Sequence, residues 1–233
     1  MARTLPKLFS ETVEELEREA LGELQGVVRQ LDRAVEAVNR QDSQLAGQVL
    51  AGEAAADRRY RLLQERLLTA LASHRAAPDL QMLASLLHVL RGLRRIAEQC
   101  TSMARLVSTA PPAVPEVTAL LELVEGAAAL SVSGVWLARA AFAARDVELA
   151  HEVVRLDAEL GRRSRAIFQR ALEPADVGEF HEWAMSMLLV GSHAERVSDA
   201  AVDIAEQTVI VVHGLFREVD EEDPAAHEPA RTW

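Results

Sequence analysis

Apolar residues recur along this chain at steps of three and four over long stretches, the pattern of amphipathic helices packed on one face. From Thr12 to about Arg40 the positions Val13, Leu16, Leu24, Val27, Leu31, Ala34 and Val38 form one stripe, and Thr12 with Glu15 has the spacing of a capping box. Asp42 is placed to cap a second helix running to about Ser73, and the AAPD break at 76–79 leads into a third, from about Asp79 to Val107. The stretch STAPPAVPE, 108–116, holds three of the eight prolines and cannot continue a helix. A fourth helix is predicted from about Glu116 to Ala144, and a fifth from Asp146 to near Glu173. Asp176 with Glu179 caps a sixth that ends at Gly214. The tail from 215 to 233 is acidic, contains Pro224 and Pro229, lacks an apolar period and is predicted to be disordered.

The helices say nearly the same thing twice. Residues 41–68 laid over 145–172 match without a gap at 10 of 28 positions. With three residues dropped from the second connection, 85–105 falls on 186–206. A period of just over 100 residues is too long for a solenoid repeat of about 20 to 50 residues and implies two similar domains. The expected fold is therefore all-α, a tandem duplication of two antiparallel three-helix bundles, six helices in all. The first bundle spans 8–107 and a Pro-rich linker 108–115; the second bundle spans 116–214 and the tail 215–233.

Composition agrees with helix bundles: hydrophobic residues make up 49% of the 233 and aromatics only 4%. A net charge of -11 repels a phosphate backbone, so nucleic acid is not an expected partner. Cys100 is the sole cysteine, which rules out an intrachain disulfide, fits a reducing compartment and reads as a buried apolar side chain. The N-terminus MARTLPKLFSETVEELE lacks the apolar core of a secretory signal. Residues 127–144 approach membrane-span length but carry Ser131, Ser133, Gly134 and Arg139, so they read as a buried helix rather than a span. The expected location is the cytoplasm.

Carboxylates carry the candidate chemistry. Glu195, Asp199 and Asp203 fall at successive steps of four on one face of the sixth helix. Like charges at that spacing repel, and carboxylate oxygens suit divalent ions such as Mg, Mn or Fe(II) if a neighbouring helix adds ligands; the plainer reading is a solvated acidic stripe. The equivalent positions in the first copy are Arg94, Glu98 and Ser102, and Arg94 can pair with Glu98 one turn away. The second helix offers Glu53 and Asp57, with Arg61 one turn further to pair with Asp57; the fifth has Asp157 but Gly161 where a second acid would stand. The metal candidates are thus Glu53, Asp57, Glu98, Asp157, Glu195, Asp199 and Asp203. A di-iron carboxylate site needs two Glu-x-x-His motifs, and only Glu148 to His151 has that spacing. No phosphate-binding glycine loop, zinc-protease motif or nucleophile elbow occurs. No catalytic residue is expected.

The acidic Asp-x-x-Leu-Ala helix starts at Asp42 and Asp146, the Pro78-Asp79-Leu80 break and the Glu195-Arg196-Val197-Ser198-Asp199 run resemble the PhoU family of phosphate-signalling regulators. The resemblance covers about residues 8–214. It implies two three-helix bundles side by side, often dimeric, without catalytic activity. Such proteins act as adaptors between a phosphate ABC transporter, through its ATPase subunit, and a sensor histidine kinase, restraining phosphate uptake and the starvation response. It also implies Fe, Mn, Zn or Mg clusters held by paired acids on helices two, three, five and six, from which Arg94 and Gly161 depart. The alternatives are a carboxylate-metal helical-bundle enzyme and an interaction scaffold unrelated to phosphate.

Overall fold

The computed structural model describes residues 10–110, 118–172 and 178–213, and these hold helices alone. They are α1 (Glu11–Arg40), α2 (Ser43–Ala51), α3 (Glu53–Ser73), α4 (Ala77–Thr109), α5 (Thr118–Ala144), α6 (Val147–Ala171) and α7 (Gly178–His213). The six-helix layout is present, with its second member bent at Gly52 into α2 and α3. Gly52 donates its N–H to Val49 three residues back, at 3.2 Å, a tightened turn that glycine tolerates at the junction. The equivalent position in α6 is Leu156, and α6 runs through unbroken. Most of the linker and the whole tail lie outside the described residues, as does the expected cap at Asp176.

Local chemistry sets the helix ends. Asp42 accepts from the amides of Gln44 and Leu45 at 2.9 and 3.0 Å, and Asp146 accepts from Leu149 at 3.1 Å, so both repeats use the same aspartate cap. Each is preceded by a non-glycine residue in the left-handed region, Gln41 at φ 51 and Arg145 at φ 58. Asp42 N–H closes onto Ala37 and Asp146 N–H onto Ala141, at 2.9 and 3.0 Å, the six-to-one bond of a Schellman ending. The expected Thr12 cap is displaced: α1 starts at Glu11 behind Ser10, whose hydroxyl turns to His74 at 3.1 Å instead. Proline in the first turn of α4 lets that helix begin at Ala77 rather than at Asp79.

The helices α1, α2–α3 and α4 form one bundle, and α5, α6 and α7 form the other. They join through α4 packed on α7 and α1 packed on α5. The α4–α7 pair runs antiparallel: Arg95 of α4 pairs with Asp203 of α7, while Gln99 meets His193 at 2.8 Å. Gly92 permits this approach, since a Cβ there would lie 2.8 Å from Ile204 Cγ1. The core includes Leu16, Leu24, Leu31, Leu83, Leu93 and Ile96 in the first half, and Phe142, Val153, Leu160 and Trp183 in the second. Each large aliphatic here contributes on the order of 2–5 kcal/mol against truncation to alanine. α5 is the one described helix long and apolar enough to cross a membrane. It packs against α1, α6 and α7 with Val124, Ala128, Val135 and Phe142 fully buried.

The two halves interlock through their corner residues. Gln41 accepts from the indole N–H of Trp183 at 2.9 Å, across 142 positions of sequence, and its amide reaches Met187 Sδ at 3.8 Å. Arg145, the equivalent residue of the second copy, reaches Glu17 at 2.6 Å and Met82 Sδ at 3.9 Å. Met82 and Trp183 are themselves equivalent under the duplication, so each corner inserts into the same place on the opposite bundle.

Candidate functional site

The acids of the first half face the α3–α4 side of the bundle, beside a groove of about 460 Å³ with Tyr60 and Ala97 in its wall. Arg94 bridges two of them: its guanidinium lies 3.4 Å from Asp57 and 3.4 Å from Glu98. Arg61 meets the other oxygen of Asp57 at 3.0 Å, and Arg105 meets Glu53 at 3.1 Å. Three carboxylates are thus matched by three guanidinium groups, and the charge a cation would neutralise is already neutralised. Beneath them Cys100 is a fully buried free thiol; burial pushes its pKa up, so it stays protonated. Burial, followed by the charge of Glu23, pushes the Tyr60 phenol up as well.

The second half arranges its acids differently. Glu195 lines an α6–α7 groove of about 590 Å³ opposite Gly161, where the first half places Arg94 opposite Asp57. A Cβ at Gly161 would meet only Arg165 Nη1, at an ordinary contact distance of 4.0 Å, so the backbone there has room for a side chain that this copy lacks. Asp203 turns away to Arg95 of α4. Asp199 is left with Asp157: burial first, and the charge of Asp157 second, raise its pKa, while Arg95 opposes the shift. A carboxylate whose proton affinity is raised by a neighbouring carboxylate has the electrostatics of a weak cation site, but the ligand count is short. Among the described residues no group of three His, Cys, Asp or Glu side chains could hold a metal ion. The expected seven-acid set is therefore split into three pieces, an arginine-neutralised trio, the Asp157–Asp199 pair with Arg95, Arg196 and Asp203 within electrostatic reach of Asp199, and Glu195 and Asp203 directed to the groove and to Arg95, and it does not fit a metal cluster as the side chains stand.

His193 packs between α7 and α4. Its pKa is pushed down by burial and then by Arg196, which keeps the ring neutral against Gln99. Ser10, His74 and Asp79 come together at the head of α1 without the geometry of a catalytic triad. His74 Nδ1 lies 2.8 Å from the carbonyl of Ala70 and so carries the proton, leaving Nε2 to face both Ser10 Oγ at 3.1 Å and Asp79 at 3.8 Å. The aspartate is on the wrong nitrogen to orient a base; it accepts instead from the Ser10 amide at 3.0 Å and pins the start of α1. Sequence reasoning found Arg94 and Arg61 from their spacing of four. It missed Arg105 and Arg95, whose partners lie on other helices and leave no mark in the local pattern.

The PhoU domain model matches residues 23–107 and 126–208, once in each half. Over 199 residues, 83% of this chain and 80% of the relative, the chain is 24% identical to the phosphate-specific transport system accessory protein PhoU homolog of Xylella fastidiosa. Two solved structures share the fold. The phosphate transport system regulatory protein PhoU from Streptococcus pneumoniae superposes with a TM-score of 0.77 at 19% identity, covering 85% of this chain and 94% of that one. PhoU from Pseudomonas aeruginosa gives 0.70 at 23% identity, covering 87% and 97%.

Proposed function

Because this chain belongs to the family of PhoU-domain proteins, matched separately in its two halves, we propose that it is a phosphate-transport accessory protein without catalytic activity. In this reading it restrains phosphate uptake and phosphate-starvation signalling as an adaptor between a phosphate ABC transporter, contacted at its ATPase subunit, and a sensor histidine kinase. It works in the cytoplasm as a homodimer. The observation that carries the reading is the paired domain match spread over a duplicated bundle whose halves are locked corner to corner.

The arginine-neutralised first half supports a role that does not depend on a multi-metal cluster. Any divalent ion (Fe, Mn, Zn or Mg) would be held at the Asp157–Asp199 pair, through two carboxylates and solvent, and would act by relieving their mutual repulsion.

Two measurements test the proposal. Purified protein should bind the transporter's ATPase subunit in surface plasmon resonance. Deletion of its gene should raise expression of a phosphate-starvation reporter in phosphate-replete cells. Absence of binding together with an unchanged reporter would refute it. Sedimentation at micromolar concentration that shows only a 25 kDa species would remove the dimer.

A further inference from the structure

The duplication gives each surface position of one half a counterpart in the other, and the α6–α7 face departs from its counterpart. Gly191 of α7 lies against Ile167 of α6, where a Cβ would come 3.0 Å from Ile167 Cδ1, and Glu195 shares the groove of about 590 Å³ with Gly161. The two helices therefore run antiparallel, with Leu189 level with Phe168 and Met185 level with Leu172. These are four of the nine large apolar side chains exposed among the described residues; Phe168 is 52% exposed and Leu189 46%. Shifted by the repeat, Phe168 and Leu189 correspond to Gln64 and His88 of the first half. The groove has opened in the same exchange: Gly161 and Ser164 stand where the first half has Asp57 and the buried Tyr60. Apolar side chains gathered around an opening, where the other copy is polar and filled, mark an interaction surface. Among the described helices α6 touches only α5 and α7, so the first bundle leaves this side uncovered.

Resting on the homodimer proposed above, we propose that a second copy of this chain covers the α6–α7 face, with α6 of each protomer lying over the groove and α7 of its partner about a two-fold axis. A two-fold interface requires one patch to carry both halves of every contact. This patch does so in shape, since Phe168 projects beside an opening that accepts a ring. It does so in charge as well. Arg165 and Glu195 are the two charged residues lining the groove, and neither has an ion pair among the described residues. The carboxylate four residues back that holds Arg61 in the first half, Asp57, has become Gly161 here. Laying α6 over the partner's α7 brings Phe168 against the partner's Leu189 and Arg165 toward the partner's Glu195, and the two-fold makes each contact twice. A chain of net charge -11 thus meets its copy on a groove lined by one charge of each sign, where self-repulsion is least.

Sedimentation equilibrium of the full chain tests the surface. Phe168→Gln with Leu189→His installs the residues of the first half at two exposed positions; it should raise the dimer dissociation constant at least about thirtyfold while helical circular dichroism stays that of the parent. Arg165→Glu and Glu195→Arg should each weaken self-association at least about tenfold. An equimolar mixture of those two variants should regain the parent's affinity as a heterodimer, a rescue that a damaged fold cannot give. A parent that dimerises no more tightly than the Phe168→Gln, Leu189→His variant would overturn this face and leave the homodimer standing. A mixture no tighter than its separate components would overturn the charge-matched two-fold. A parent that sediments as the 25.5 kDa monomer at every concentration would remove the homodimer and this proposal with it.

Discussion

Replacing Gln41 with alanine strands the indole N–H of Trp183. That side chain is fully buried, and its Nε1 donates to Gln41 Oε1 at 2.9 Å. A buried donor left without its acceptor costs about 1–3 kcal/mol, which in a domain of this size lowers the melting temperature by roughly 2–4 °C for each kcal/mol. Backbone strain sharpens the prediction. Gln41 holds φ 51, where a Cβ costs about 1–2 kcal/mol that glycine escapes. Glycine's extra freedom in the unfolded chain returns about 0.4–1 kcal/mol of that gain, so Gln41→Gly should be destabilised by about 1 kcal/mol less than Gln41→Ala although both lose the same hydrogen bond. Urea unfolding followed by tryptophan fluorescence measures both. With Trp183→Phe in the background the donor is gone and Gln41→Ala should cost little, a coupling of at least about 1 kcal/mol. A Gln41→Ala protein as stable as the parent, or a glycine variant less stable than the alanine one, would refute the interlock as an energetic contact.

Three further perturbations bear on the acids and the bend. Arg94→Glu exchanges the guanidinium between Asp57 and Glu98 for a fourth carboxylate; Mn(II) affinity measured by calorimetry should rise about tenfold over the parent, and unchanged affinity would show that the arginine is not what displaces a cation. Folding raises the Asp199 pKa above its ordinary 3.8, so its stability contribution is fully present below that value and lost as pH climbs through the folded one. Asp199→Asn should therefore unfold at higher urea than the parent at neutral pH, with the gap closing on acidification; a gap that widens in acid would reverse the assigned sign. Gly52→Ala puts a Cβ no closer than 3.5 Å to Val49 O at a right-handed helical φ, so it should stabilise by about 0.5–1 kcal/mol. A lower melting temperature would mean that the bend requires glycine.

The helices and the duplication were legible because both are written locally. Apolar periodicity marks each helix, and Asp42 and Asp146 announce the start of α2 and α6. The pairs Arg61–Asp57 and Arg94–Glu98 could be read from their spacing for the same reason. Contacts between helices could not. Glu53 finds Arg105 and Asp203 finds Arg95 only after the bundles set the rotation of α4, and an arginine in a helical pattern points to no particular partner. Gly52 was read as an ordinary helix residue, since a glycine within a periodic stretch either bends it or is absorbed, and the α2–α3 junction is decided by packing on α4. The local Thr12–Glu15 spacing pointed to Thr12 as the cap, whereas α1 starts behind Ser10, whose hydroxyl meets His74, a residue 64 positions away that no local pattern reveals.

The corner-to-corner interlock also has a consequence in time. During synthesis Gln41 leaves the ribosome 142 residues before Trp183, an interval of roughly 7–28 s at about 5–20 residues per second. The first bundle must fold while the face of α4 meant for α7, with Gly92 at its centre, is still open to water. A nascent chain paused in that interval offers a ready seat for the α7 of a neighbouring copy, and crowded polysomes should accordingly yield exchanged halves unless the first bundle is shielded until translation ends.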